Sequence, residues 1–113
     1  MVASLSLLVL RAADLEQTRR FYEALGLVFT REQHGSGPVH YASVLGDTVL
    51  ELYPRRDAAA SHDDTRVGIR VDDVAAAILA AVALGRSLHR ALDAEGRAVL
   101  IDPDGRCVDL SPA

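Results

Sequence analysis

The chain has 113 residues, half of them hydrophobic and a quarter charged, with a formal net charge of −4. That suffices for one packed core and fits one domain or two very small tandem modules. The acidic balance and the absence of any basic block argue against a nucleic-acid partner. Cys107 is the only cysteine, so no internal disulfide can form, which suits a reducing compartment. No stretch is long and apolar enough for a membrane span. The run Leu5–Leu10 lacks the basic start of a signal peptide. A cytoplasmic protein without a membrane partner is expected.

The first element is a strand over residues 4–11, nearly all apolar. A helix follows, opened by Asp14 as N-cap with Gln17 placed for a capping box. Leu15, Phe21, Tyr22 and Leu25 form its apolar stripe, and Gly26 stops it. Three strands are expected next, at 27–33, 39–45 and 48–53, the last two joined by a Gly46-Asp47 turn. A polar linker, 54–65, contains His62, to which no role is assigned.

The pattern then starts again. Residues 66–72 alternate, with Arg66, Gly68 and Arg70 opposite Val67, Ile69 and Val71. A second helix runs from Asp73 or Asp72 to Gly85, with Val74, Ile78, Leu79 and Val82 on an alanine-rich frame. Strands are expected at 87–90, 97–101 and 106–110, the last pair joined by Asp102-Pro103-Asp104-Gly105. Asp14 and Asp73 open the helices, Leu25 and Leu84 close them, and the offset is 59 residues at both ends. A fixed internal period marks a duplicated unit. The fold class is therefore α+β: two tandem βαβββ modules, 1–53 and 66–113, their sheets curved around a cleft.

Hairpin geometry assigns faces, because residues paired across strands share one. The Gly46-Asp47 turn places His40, Ala42, Val44, Val49, Glu51 and Tyr53 on the cleft side. Tyr41, Leu50 and Leu52 then face the helix. A four-residue loop at Asp102–Gly105 places Ala98, Leu100, Cys107 and Asp109 on the cleft side of module two. Val99, Ile101, Val108 and Leu110 then face its helix. The first strands add Leu5, Leu7 and Val9, and Arg66, Gly68 and Arg70. The expected ligand-binding cleft is thus Leu7, Val9, His40, Val49, Glu51, Tyr53, Arg66, Arg70, Leu100, Cys107 and Asp109. An apolar wall with few convergent polar groups suits a small organic molecule.

Two tandem βαβββ units resemble the vicinal-oxygen-chelate superfamily: the glyoxalase, bleomycin-resistance and dioxygenase group. The residues carrying the resemblance are Leu10-Arg11-Ala12-Ala13-Asp14-Leu15, Arg20-Phe21-Tyr22 with Leu25-Gly26-Leu27, Val71-Asp72-Asp73-Val74, and Ile101-Asp102-Pro103-Asp104-Gly105 with Val108-Asp109-Leu110. In metal-using members each module supplies two ligands, one from its first strand and one from its last. The resemblance carries those positions onto Leu7, Glu51, Arg66 and Asp109. Glu51 and Asp109 have donor oxygens. Leu7 has none, and Arg66 is permanently cationic without a lone pair. Three or four protein donors are the norm for a transition metal.

No metal and no cofactor is therefore expected, and Arg66 is expected to supply the positive charge in the metal's place. If the Arg66 pair is buried, Arg66→Ala should be strongly destabilising. The resemblance then implies a non-catalytic protein that binds or sequesters a natural product or antibiotic, as antibiotic-resistance members do. The alternative is an enzyme of the same superfamily, a lyase, isomerase or dioxygenase, using Glu51 and Asp109 with or without a divalent metal. A third reading makes the fold a dimer scaffold only. A homodimer is expected under all three, since in this superfamily modules pair to close the cavity. Plain structural roles stand beside each assignment. Glu51 and Asp109 fit solvated strand ends, Arg66 a rim salt bridge, and Cys107 a cavity wall. Asp102 and Asp104 fit turn residues, and no catalytic residue is identified.

Overall fold

The computed structural model describes residues 1–57 and 63–113; His62 and the middle of the linker lie outside them. Module one contains β1 (Leu7–Ala12), α1 (Leu15–Ala24), β2 (Thr30–Glu32), β3 (His40–Leu45) and β4 (Thr48–Pro54). Module two contains β5 (Arg66–Val71), α2 (Val74–Ala83), β6 (Leu88–Arg90), β7 (Ala98–Ile101) and β8 (Cys107–Pro112). Each module folds a four-stranded mixed sheet, ordered β1-β4-β3-β2 and β5-β8-β7-β6. The first strand of each runs parallel to the last. The duplicated sequence is therefore a duplicated βαβββ structure. β1 starts three residues later than expected, and β2 shrinks to three residues.

Both helices end as their chemistry dictates. Asp14 and Asp73 accept the amides of Gln17 and Ala76, satisfying one of the free donors of each first turn. At the other end Gly26, with φ 108°, lets Leu27 N–H reach back to the Tyr22 carbonyl. The same reversal occurs at Gly85.

Helix α1 buries Thr18, Phe21 and Tyr22, the apolar stripe plus a threonine. Helix α2 departs from expectation: it buries Val74, Ala77 and Ala81, while Leu79 is 72% exposed and Val82 48%. A helix that is apolar nearly all round has no stripe to read. The inner face is set by which side chains meet the core, and those are Val74, Ala77 and Ala81.

The β3–β4 hairpin has the expected register, with Ala42 opposite Glu51 and Val44 opposite Val49. The β7–β8 hairpin does not. Its loop holds five residues, Asp102 to Arg106, and Ile101 pairs with Cys107. The reason is local: Asp102 N–H donates to the Arg106 carbonyl, while the Asp102 carboxylate accepts from the Asp104 and Arg106 amides. One extra loop residue reverses the face of every residue on β7. Ala98 and Leu100 therefore join Val108 and Leu110 in the core, and Val99 and Ile101 turn toward the cleft side.

The same loop locks the modules together. Arg106 is fully buried, as are Asp102 and Asp104 to within 5%. Its guanidinium donates to Asp102 at 2.9 Å, to Asp63 at 2.7 Å and to the Arg11 carbonyl of module one. From module one, Tyr22 donates to Asp102 at 2.7 Å, and Thr18 and the Ala13 amide donate to Asp104 at 2.8 and 2.9 Å. Burial, then the adjacent Asp102 carboxylate, holds the Tyr22 hydroxyl well above its ordinary pKa. Burial opposes ionisation of Asp63. Hydrogen bonds from Thr65 and the Arg106 guanidinium outweigh it and pull the carboxyl down to about 2.

A carboxyl depressed on folding stabilises above its unfolded pKa and loses that contribution as pH falls through the folded one. Asp63→Asn should therefore cost stability at neutral pH. The difference from the parent chain should shrink as pH falls from about 4 to about 2. Urea titrations of both proteins across that range check it, and a pH-independent difference would mean that the ionised carboxylate is not what stabilises.

Candidate functional site

The cleft-side faces of the two sheets are built differently. On module two, a cavity of about 700 Å³ opens over β5 and β8, walled by Arg66, Arg70, Val99, Asp109 and Ser111, by Arg90 at the end of β6 and by Asp93 and Arg97 of the β6–β7 loop. Every residue of that wall belongs to module two. Arg66 and Asp109 pair as expected: Arg66 Nε lies 3.1 and 3.0 Å from the two carboxylate oxygens and a terminal nitrogen lies 2.9 Å from one. The pair raises the pKa of Arg66, first through the hydrogen bond and then through the charge of Asp109. It is not buried, however. The two side chains are 61% and 39% exposed, so the large stability cost expected of a buried pair does not apply to this chain alone. The cause is that β5 and β8 present this face to the open cavity.

On module one, the corresponding face is mostly bare hydrocarbon. Leu5, Leu7, Val9 and Val44 are 60%, 49%, 36% and 76% exposed, while Leu10 and Ser43, next to Val9 and Val44, are buried. Val49 and Glu51 lie beside them on β4, pairing with Leu7 and Val9. A second cavity, about 870 Å³, lies between the modules and joins Leu5 and Val44 to Gly68 and Arg70.

Two residues expected in the cleft are drawn elsewhere. His40 is 1% exposed, with its ring stacked on Tyr53 at 4.1 Å and 9°. Tyr53 therefore has one ring face occupied by His40, and Arg11 lies 5.0 Å from its centroid, so it is not a free platform for a planar guest. Leu100 is fully buried in the core, through the register change of β7. Cys107 is half-buried and opposite Arg66. The structure thus gathers Arg66, Arg70 and Asp109 in one cavity and Leu7, Val9, Val49 and Glu51 on another face. Arg70 alone of these lines both cavities.

The metal positions implied by the resemblance do not fit an ion. Leu7 has no donor atom, and both oxygens of Asp109 already accept from a guanidinium. An ion there would have to displace a fixed positive charge.

Sequence reasoning missed Glu32 and His34. Together with His40 they place three ligand-type atoms within 4.8 Å of one another. The spacing Glu-x-His, then His six residues later, was the available signal. It is a weak one, because only the β2–β3 hairpin brings its two halves together. Arg90 at the end of β6 and Arg97 in the β6–β7 loop were also missed, since a loop's approach to a sheet face has no periodicity.

The family model described as the glyoxalase-like domain matches residues 7–111. No curated protein sequence is significantly similar to the chain. Among solved structures, the fosfomycin resistance protein FosX from Mesorhizobium loti has a TM-score of 0.75 at 18% identity, covering 100% of this chain and 94% of its own. The antibiotic-binding protein TnmS3 from Streptomyces has a TM-score of 0.71 at 23% identity, covering 99% and 98%. A bleomycin-binding protein solved with bleomycin has a TM-score of 0.63 at 23% identity, covering 99% of both chains. At these identities the likeness concerns the fold.

Proposed function

Because the chain belongs to the glyoxalase-like domain family, and that family's fold serves both antibiotic-binding proteins and resistance proteins, we propose that this member binds a small organic molecule and does not transform it. The observation that carries the reading is the Arg66–Asp109 pair, a guanidinium closed on both oxygens of a would-be ligand. The position opposite, Leu7, is hydrocarbon. What remains is a wall of aliphatic side chains on one module and a wall rich in arginine on the other. Such a cleft suits a guest with an apolar body and an acidic or acceptor-rich edge.

The cavity at Arg66 and Asp109 is walled by module two alone, and the aliphatic face of module one is left open. The proposal therefore includes a homodimer, in which one chain's Leu7–Glu51 face closes over its partner's Arg66–Asp109 face under two-fold symmetry. A natural product or antibiotic is the class of guest favoured by the relatives of like fold, acting by sequestration in the cytoplasm.

The test is thermal shift in the presence of chelator against a panel of antibiotics and acidic aromatic metabolites, with sedimentation at micromolar concentration. The expected result is a dimer stabilised by at least one guest. Arg66→Ala should keep the parent melting temperature yet lose most of the guest-induced shift. An ion whose binding needs Glu51 and Asp109, lost on Asp109→Asn, would replace this reading with an enzyme. A monomer would remove the shared cleft.

A further inference from the structure

The outer end of the module-one sheet carries an arrangement that guest binding does not use. His40 sits at the start of β3 with its ring buried, its face against Tyr53 and its Nδ1 3.2 Å from the Pro38 carbonyl. A carbonyl oxygen only accepts, so that contact needs a proton on Nδ1. In the neutral ring Nε2 then holds the lone pair. Yet Nε2 faces two carboxylates, Glu32 at 3.3 Å and Glu51 at 3.6 Å. It makes no hydrogen bond to either and is buried without a hydrogen-bond partner among the described residues.

A lone pair set against two carboxylates is repulsive unless positive charge lies between them. A proton on Nε2 would supply charge but would point well at neither oxygen, since neither contact has hydrogen-bond geometry. A small cation seated between the groups meets all of them at once. Donor atoms on a tetrahedral ion with bonds of about 2.1 Å lie roughly 3.4 Å apart. The observed His40–Glu32 separation is 3.3 Å, and His34 brings a third donor within 4.8 Å of both.

We propose that Glu32, His34 and His40 form a binding site for a divalent transition ion, of the zinc or nickel type. Two imidazoles with one carboxylate match the preference of such ions and not that of magnesium or calcium. The surroundings are those of a ligating histidine: the far nitrogen is fixed by a carbonyl, which sets the tautomer, and the ring is held by stacking. The Glu51 carboxylate, 3.6 Å from Nε2, adds a second acidic group nearby. His34 is exposed, so an ion reaches the site from solvent. The site lies at the β2–β3 hairpin, uses none of Leu7, Arg66 and Asp109, and meets the cleft face only through Glu51. It does not depend on the guest proposed for the cleft.

The test uses the untagged full chain, freed of metal by chelator and titrated with zinc chloride alone, then with nickel chloride. The expected result is saturable binding of one ion per chain in the micromolar range or tighter. Glu32→Gln and His34→Ala, both surface changes that leave the buried imidazole in place, should each weaken it about tenfold or more. Asp109→Asn should leave it unchanged. In nitrogen-15 spectra the His40 Nε2 signal should move on zinc addition while Nδ1 keeps its proton. Absence of saturable uptake, uptake that survives both surface substitutions, or an Nε2 that stays protonated at saturating zinc would each overturn the site.

Discussion

Replacing Arg106 with methionine is expected to lower the unfolding free energy by about 3–5 kcal/mol, the cost of removing one partner from a buried charge network. The methionine side chain fills much of the same space, so the loss reports charge and hydrogen bonding. With the guanidinium gone, Asp102 and Asp104 remain buried, at 2% and 5% exposure, and the Arg11 carbonyl loses its donor. The hydrogen bonds from Tyr22, Thr18 and Ala13 still satisfy single oxygens but supply no positive charge. Arg55, 3.3 Å from Asp104, offsets part of the deficit. The measurement is urea unfolding: the midpoint should fall at nearly unchanged slope. Arg66→Met provides the contrast, because the same substitution in an exposed pair should barely move the midpoint. Equal effects at the two arginines would mean that the Arg106 network is wet.

The second large effect is expected at Leu100. The hairpin reading from sequence places it on the cleft wall, where trimming to alanine would change guest binding and little else. In the structure it is fully buried among the core residues, opposite Val108. Leu100→Ala should then cost about 2–5 kcal/mol through lost burial and the cavity left behind. Leu7→Ala, at a side chain half exposed on the true cleft face, should cost far less in the single chain. Calorimetry of the two variants separates the registers directly. A mild Leu100→Ala would restore the four-residue loop.

These two residues show where local pattern stops being informative. The repeat, the capped helices and the Gly46-Asp47 hairpin all rest on interactions between residues close in sequence, and they were legible. Glycines at Gly26 and Gly85 end helices because the reversed backbone there needs φ above zero. The Asp102–Arg106 loop was misread by one residue. Its length depends on the Asp102 side chain folding back on two amides, and on Arg106 having the Arg11 carbonyl of module one as an acceptor. No spacing rule contains that second condition. The face of α2 was also illegible, since Val74 through Ala83 are all apolar and only the neighbouring sheet distinguishes them.

The candidate sites divide in the same way. The pairing of Arg66 with Asp109 could be anticipated, because parallel β5 and β8 must place both on one face. Its exposure could not, because exposure is a property of what lies above the sheet. The gathering of Glu32, His34 and His40 depends on a hairpin folding back over a buried ring.

By itself, then, the sequence determined the duplicated βαβββ architecture and the absence of donors at Leu7 and Arg66. Periodicity, caps and side-chain chemistry are local and act before any packing. Only the tertiary structure decided the register of β7, the role of Arg106 as the pin between modules, and the meeting of two carboxylates with the His40 ring. Each of those arises where a side chain finds a partner far along the chain, and its energy depends on water being excluded there.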